Sequence, residues 1–282
     1  MLYLILAVLA SSAVAIVMRL GEKHIKNNFA MFMANYFVCS LIAFLFMQDK
    51  RPFAPQEGMT FAVCLGLGSG CLYLLCFTLM KHNISKNGVM LSSVFMKLGV
   101  LVPAVMAVAA FGEKPTLLHI IGFVIAVAAI VMIYLEPGKA EGSKRSRVFL
   151  LLLLLVSGFT ESMANIYDKV GVSAIKDHFL LCNFLTAFVL ACVMTLITHK
   201  RIGWKDIVFG IIIGVPNYFA TRCLLLSLGS LEAVVVYPIY NVGAIVLIGI
   251  AGILMFKEKL SLRKAIGFVM IAAALVLLNI NG

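Results

Sequence analysis

The sequence predicts an all-α integral membrane protein in which ten transmembrane helices form two inverted five-helix repeats. Three observations support this prediction: a very high hydrophobic content, apolar runs of membrane-spanning length, and a phrase that occurs once in each half. Hydrophobic residues make up 63% of the 282 residues and charged residues only 12%, which is about half the charged share of a soluble domain.

The apolar residues are grouped into ten runs that are separated by short charged segments. A span of about 20 apolar residues crosses the hydrocarbon core as a helix, whereas a membrane β-barrel would alternate apolar and polar residues over segments of about ten. The loops between the runs leave no room for a soluble domain. The runs occupy residues 2–20, 29–48, 59–80, 88–111, 117–135, 148–168, 179–198, 206–228, 232–256 and 262–280.

The first run resembles a signal peptide in one respect, because "AVA" at 13–15 is similar to a signal-peptidase site. No basic residue precedes the run, so the charged start of a signal peptide is missing. We therefore interpret residues 2–20 as a retained helix. The seven cysteines lie within apolar runs without metal-ligand spacing, which predicts small buried apolar residues and neither a metal nor another cofactor.

The net charge of +11 is spread over separate loops, which favours contact with anionic lipid head groups over nucleic-acid binding. Lys and Arg concentrate in the cytoplasmic loops of membrane proteins. Here they concentrate in the loops after the odd-numbered runs, including "EPGKAEGSKRSR" at 136–147. The pattern predicts a multi-pass protein of the plasma (inner) membrane with both termini outside.

One phrase occurs in both halves, as "FGEKPTLLHIIGF" at 111–123 and "FKEKLSLRKAIGF" at 256–268. Together with further matches between the halves, it predicts a first repeat at 1–135, a basic linker loop at 136–147 and a second repeat at 148–282. Each repeat contains five runs, so the second enters the membrane from the opposite side. Such inverted repeats are typical of secondary transporters.

Two features of the repeats have predicted structural roles. The glutamate of the FxEK turn, which is Glu113 in one half and Glu258 in the other, is expected to cap the start of the helix that follows. Runs 3 and 8 each carry a GxxxG motif that allows close approach of helix backbones. The motifs are Gly66/Gly70 and Gly210/Gly214.

Ten helices in two halves, with a [G/K]-E-K turn followed by a helix containing I-G-F, resemble the drug/metabolite transporter superfamily and in particular its EamA-type ten-helix branch. The resemblance covers the whole chain and implies transport of a small-molecule solute. Members of the superfamily export amino acids and other metabolites, exchange nucleotide sugars or phosphate esters, or export drugs.

Three ionisable side chains lie within the apolar runs: Glu161, Lys97 and Arg222. Placing such a group in mid-bilayer costs about 3 kcal/mol or more, so each is a candidate substrate-binding residue. Glu161 lies roughly 19 Å, and Lys97 roughly 14 Å, along its helix from the proposed cytoplasmic face. We expect these two to share a layer near the midplane, with Arg222 nearer the outside.

The segment "FTESMANIYDK" at 159–169 is similar to the first helix of small multidrug transporters, in which a membrane Glu precedes a Lys by the same spacing. The resemblance implies that Glu161 binds a cation and a proton in competition. In the first half, Ser11 takes the place of Glu161 and Arg19 that of the lysine. Only one half keeps the acid, so a proton is a candidate coupling ion through a single carboxylate.

Lys97, in "SVFMKLGVLVPAV" at 93–105, is similar to a helix-4 lysine of nucleotide-sugar and phosphate-ester carriers that faces the central cavity. The structural alternative is a buried ion pair between Lys97 and Glu161, although such pairs often add little net stability. Arg222 also has two alternatives to a substrate role. It could form an ion pair with Asp168, or its side chain could extend toward the membrane surface.

Polar and aromatic side chains of the second half complete the candidate site. In "VVVYPIYNVGA" at 234–244, Tyr237, Tyr240 and Asn241 share one helix face, and Pro238 is expected to kink the helix and free a carbonyl. The alternative is interfacial tyrosine with ordinary packing. The same reasoning adds two candidates, Asn165 and Asn217.

One acid and two bases in the spans suit a zwitterion, with its ammonium on Glu161 and its carboxylate or phosphate on Lys97 and Arg222. The main hypothesis is a secondary active transporter that moves an amino-acid-like metabolite by alternating access. One alternative is an organic cation/proton exporter centred on Glu161, with Tyr237 and Tyr240 as an aromatic wall. Another is an organic-anion or phosphate-ester exchanger centred on Lys97 and Arg222.

Other classes are disfavoured by what the sequence lacks. The sequence contains no HExxH motif, no GxSxG motif and no pair of carboxylates within a span, any of which would indicate a membrane enzyme. A structural protein would need no ion-lined cavity. A P-loop is also absent, so we expect a gradient or exchange to drive two halves that rock about the central site, with Pro103 and Pro238 absorbing the bending. The expected partners are a solute, protons and lipid, without nucleic acid, for a monomer or homodimer.

Overall fold

The structure is a computed structural model that describes residues 1–47, 57–102, 106, 116–134, 144–228, 233–258 and 261–277. Within these ranges the regular elements are helices, and no strand occurs. The α-helices with described bounds are α1 (Leu2–Leu20), α2 (Asn28–Phe46), α3 (Met59–Asn87), α4 (Val89–Lys97), α5 (Leu117–Tyr134), α6 (Lys144–Val170), α7 (Lys176–Ile197), α8 (Trp204–Leu228), α9 (Ala233–Leu254) and α10 (Leu262–Leu277).

Each predicted apolar run contains one of these helices, so the all-helical prediction is confirmed for the described residues. Five helices, α1–α3, α7 and α8, are long and apolar enough to cross a membrane. Shorter apolar helical stretches of 10–17 residues lie in α5, α6, α9 and α10 and in Val89–Val100, which begins with α4. α6 begins at Lys144, inside the predicted linker, whose residues 136–143 lie outside the described ranges. Pro103 also lies outside them.

The bundle carries apolar side chains on its outside as well as in its core. Leu45, Leu196 and Val269 are 62%, 73% and 71% exposed, as expected for helix faces in contact with lipid. Two of the seven cysteines, Cys64 and Cys71, are also exposed, so the prediction that all seven are buried is wrong for these. The larger buried cluster lies chiefly between α1–α3 and α6–α9, and a smaller one joins α5 and α10 to α4, α6 and α9.

Helix packing relates the two halves of the chain. α3 packs on α7 and α8 on α2, α1 packs on α8 and α6 on α3, and α1 packs on α9 and α6 on α4. Exchanging α1–α5 with α6–α10 converts the first contact of each pair into the second. The contacts of α2 with α7 and of α5 with α10 map onto themselves, so the described packing has the exchange symmetry expected of two repeats.

The two GxxxG motifs bring helix backbones into contact, as predicted. A Cβ atom at Gly70 of α3 would lie 2.5 Å from the carbonyl oxygen of Asn183 in α7. A Cβ atom at Gly214 of α8 would lie 2.7 Å from the carbonyl oxygen of Asn35 in α2. Gly66 faces α7 and Gly210 faces α2 in the same way. Both motifs therefore join one half of the chain to the other.

The FxEK turn of the second half also joins the halves. Glu258 accepts hydrogen bonds from the backbone N–H groups of Val89 (2.7 Å) and Met90 (3.1 Å) at the start of α4. The prediction that Glu258 caps the following helix, α10, is therefore wrong. The unpaired N–H groups and the positive dipole end of α4 attract the carboxylate, which reaches α4 because the turn lies over it. Glu113 lies outside the described residues.

Gly88 precedes α4 and makes room for this cap. Its φ of +83° is in the left-handed region that favours glycine. A Cβ atom at Gly88 would also lie 2.6 Å from Oε1 of Glu258. Gly88 therefore permits both the turn from α3 into α4 and the close approach of the Glu258 carboxylate.

Replacing Glu258 by alanine should destabilise the protein, because two N–H groups of α4 lose a charged acceptor. Loss of an N-cap costs about 0.5–2 kcal/mol, and the contact also joins the two halves. We expect a lower thermal unfolding temperature in detergent for Glu258→Ala than for Glu57→Ala, which removes an exposed carboxylate. Equal unfolding temperatures for the two variants would show that the cap contributes no stability.

Candidate functional site

A cavity of about 160 Å³ lies between the two halves. Described residues of α1, α3 and α4 line it from the first half, and residues of α6–α9 line it from the second. Most of the lining is apolar or aromatic, including Tyr73, Phe77 and Phe179. A few polar side chains converge on this apolar space, which is the usual composition of a small-molecule site.

Lys97 reaches the cavity from α4 and is only 4% exposed. Its ammonium donates a hydrogen bond to Ser11 Oγ of α1 at 3.2 Å and lies 3.8 Å from the centroid of the Tyr240 ring in α9. The hydrogen bond and the cation–π contact partly offset the cost of burying the charge. An ammonium has three donors, so Lys97 keeps capacity to bind an anionic group of a ligand.

Glu161 lines the same cavity from α6 and is partly buried. Both residues are described, and the structure records no ion pair between Lys97 and Glu161. The structural ion pair considered in the sequence analysis is therefore not formed. The cavity thus contains the acidic Glu161 and the basic Lys97, whose charges act on each other electrostatically without a direct ion-pair contact, and a second basic residue, Lys176, also lines it.

Three further predicted residues line the cavity: Tyr240, Asn241 and Asn217. Asn217 donates a hydrogen bond to Asn35 Oδ1 of α2 at 3.3 Å. Asn241 is 1% exposed, and neither atom of its amide has a hydrogen-bond partner in the described part of the chain. The other two candidates, Asn165 and Tyr237, have side chains outside the described residues.

Arg222 lies outside the cavity lining. Its Nη1 donates hydrogen bonds to Asp177 Oδ1 at 3.2 Å and to Tyr218 Oη at 3.0 Å, and its Cζ lies 5.1 Å from the centroid of the Phe46 ring. The partner found is Asp177, in the first turn of α7, while the side chain of the expected partner, Asp168, is outside the described residues. Arg222 thus connects α8 with α7.

Sequence reasoning missed several polar residues of the lining, among them Ser93 and Asn183. It named Ser11 only as the counterpart of Glu161. A signal was present for Asn183, because "LLCNFLT" at 180–186 places an isolated amide in an apolar run, and polar groups within spans are candidates for function. Ser93 lies one turn before Lys97, on the same helix face.

Polar contacts also join several helices outside the cavity lining. Arg19 donates a hydrogen bond to the carbonyl oxygen of Ile84 at 3.1 Å and lies 3.8 Å from Oε1 of Glu258. Lys81 donates a hydrogen bond to the carbonyl oxygen of Met18 at 2.9 Å. These five residues, which we term the Arg19–Glu258 layer, lie outside the cavity lining and link α1 and α3 to the α9–α10 turn.

The cavity extends toward the opposite end of the bundle. There its lining includes Tyr167 near the end of α6 and Lys176 and Phe179 at the start of α7. The lining therefore includes residues at this end of the bundle, whereas the residues of the Arg19–Glu258 layer lie outside it.

Comparison with known proteins agrees with this architecture. Residues 1–135 match the EamA-like transporter family. This match places the chain in the drug/metabolite transporter superfamily. The chain is 25% identical over 286 residues to an uncharacterized protein of Haemophilus influenzae, and the match covers 96% of this chain and 95% of that protein. It also shares the fold of a solved crystal structure, with a TM-score of 0.68 at 12% identity over 98% of this chain and 96% of that chain.

The family of this match bears on the location and the partners of the chain. EamA-like proteins are membrane transporters, so the chain is an integral membrane protein whose partners are a small-molecule solute and the lipid bilayer.

Proposed function

We propose that this EamA-like protein is a secondary active transporter that moves a small zwitterionic, amino-acid-like metabolite across the plasma membrane by alternating access. The observation that carries the proposal is that Lys97 and Glu161 line one cavity without pairing with each other. Their charges match the carboxylate and the ammonium of a zwitterion. A ligand of that kind would offset the cost of holding both charges away from water.

An organic cation exporter centred on Glu161 is the second candidate, and two contacts disfavour it. The face of the Tyr240 ring, which would bind an organic cation, is in contact with the ammonium of Lys97. Lys97 itself would repel a cation in the same cavity. An anion exchanger would use Lys97 together with Arg222, yet Arg222 is paired with Asp177 outside the lining.

The proposed mechanism rests on two inverted five-helix repeats, which the exchange symmetry of the helix contacts supports. The distribution of Lys and Arg assigns the α1–α2 and α9–α10 loops to the cytoplasm, so the Arg19–Glu258 layer would seal the cytoplasmic side. Transport then requires this layer to separate while the opposite end closes around the solute. Glu161 would exchange a proton for the ammonium of the solute, which makes the proton the candidate coupling ion.

The proposal is tested by ligand binding to the purified protein in lipid nanodiscs. A thermal-shift screen compares the standard amino acids with tetraphenylphosphonium as an organic cation and with phosphoglycerate as an organic anion. We expect at least one amino acid to stabilise the protein in proportion to its concentration. Its methyl ester and its N-acetyl derivative, each lacking one charge, should bind at least about tenfold more weakly. Preferential binding of the cation or of the ester would support the exporter instead.

A further inference from the structure

Three polar side chains of the cavity have buried atoms without a hydrogen-bond partner. The atoms are Ser93 Oγ, Asn183 Oδ1 and both Oδ1 and Nδ2 of Asn241. The three residues are 2%, 1% and 1% exposed, and they reach the cavity from α4, α7 and α9. Four unpaired polar atoms thus belong to residues that line the same cavity as Lys97 and Glu161.

Such atoms call for an explanation, because about nine tenths of buried polar groups in proteins have a partner. An unpaired buried donor or acceptor costs free energy that folding alone does not recover. Asn217 shows the contrast within the same cavity, since its amide donates to Asn35 Oδ1 and contacts Cys39 Sγ. The unpaired atoms of Asn183 and Asn241 are therefore groups that a ligand in the cavity can satisfy.

The chemistry of the two amides defines what they can bind. Asn241 offers one acceptor and one donor, and a carboxamide supplies the complementary donor and acceptor. Asn183 offers an additional acceptor, its Oδ1, for an N–H of the same ligand. Tyr240, adjacent to Asn241, contacts the Lys97 ammonium, so this uncharged region lies beside the proposed charge-binding region.

We propose that Asn241 and Asn183 form an uncharged subsite that selects zwitterions bearing a side-chain carboxamide, that is, a glutamine-like solute. The inference rests on the proposed function and names the substrate class of the same cavity. A site whose buried polar atoms pair with a ligand rejects an analogue that leaves them unpaired. An apolar amino acid of equal length therefore fills the cavity but leaves these atoms without partners.

The test compares L-glutamine with L-norleucine by isothermal titration calorimetry on the purified full-length protein. For the unchanged protein we expect glutamine to bind at least about tenfold more tightly, which corresponds to about 1.4 kcal/mol. In Asn241→Leu, which keeps the volume and removes both polar atoms, the ratio should fall to near one. A ratio that stays the same in Asn241→Leu overturns the assignment of Asn241, and equal binding to the unchanged protein overturns the whole subsite.

Ser40→Ala is the matched control. Ser40 Oγ is also buried without a partner in the described residues, but it lies on α2 outside the cavity lining, so its removal should leave the glutamine-to-norleucine ratio unchanged. The empty Asn241→Leu protein should unfold at the same temperature as the unchanged protein or higher, because an unpaired amide is removed. A large decrease would indicate a structural role for Asn241 and would overturn the proposal.

The same data separate this inference from the proposed function. If neither amino acid binds and no other zwitterion does, the transporter of zwitterions is the hypothesis that fails. If norleucine binds as well as glutamine, and both lose affinity in Glu161→Gln, the zwitterion site stands and only the carboxamide subsite fails.

Discussion

Replacing Glu161 by glutamine is expected to abolish coupled transport while leaving the protein folded. The substitution keeps the shape of the side chain and removes the one acidic group proposed to bind the ammonium of the solute and to carry a proton. A hydrogen bond to a charged group contributes about 1.5–3 kcal/mol, so solute affinity should fall by roughly 10- to 150-fold. Without a titratable carboxylate, a pH gradient should no longer drive any remaining uptake.

The measurement is solute uptake into proteoliposomes with and without a pH gradient. Glu57→Gln serves as the control, because Glu57 is an exposed carboxylate outside the cavity lining, and its transport should equal that of the unchanged protein. Size-exclusion chromatography and thermal unfolding establish that Glu161→Gln is folded. Unchanged, pH-driven transport by this variant would remove Glu161 from the mechanism.

Replacing Gly70 by alanine is expected to cause the largest loss of stability among single methyl additions to α3. The new Cβ atom would lie 2.5 Å from the carbonyl oxygen of Asn183 and 2.6 Å from Cβ of Thr186. Backbone atoms of α7 cannot rotate away, so α3 and α7 must separate. Overpacking of this kind typically costs about 1–3 kcal/mol, and here it acts on a contact between the two halves.

Gly68→Ala provides a control on the same helix, two residues earlier. A Cβ atom at Gly68 meets nothing within 4 Å, and alanine favours a helix over glycine by about 1 kcal/mol. We expect Gly68→Ala to unfold at the same temperature as the unchanged protein or higher, while Gly70→Ala unfolds at a lower one. Similar unfolding temperatures for both variants would mean that the close contact of α3 with α7 is not under packing constraint.

The positions of the helices were predictable because the signal is local. A run of apolar residues is helical in lipid whatever lies next to it, since its backbone must be satisfied within the segment. The same logic identified Glu161 and Lys97, because a charge within such a run is costly wherever the helix packs. The GxxxG motifs were also readable, since only glycine permits the spacing found at Gly70 and Gly214.

Partners of individual side chains were not predictable in the same way. Arg222 pairs with Asp177, and Lys97 contacts Ser11 and Tyr240, and none of these three partners was considered from sequence. Each of these contacts joins two helices, so it depends on the rotation of each helix about its axis and on their relative depth. A sequence pattern determines which face of a helix is polar but does not determine which other helix that face meets.

By itself, the sequence determined that this protein is a helical membrane protein with two related halves and with charges in its spans, since hydrophobicity, length and repetition are properties of the chain alone. Only the tertiary structure decided that Glu258 caps α4 in the opposite half, that Lys97 and Glu161 line one cavity without a direct ion pair, and that Asn183 and Asn241, which also line it, have buried amide atoms without a hydrogen-bond partner. The reason is that these facts are distances between atoms of different helices, and such distances exist only once the helices have packed.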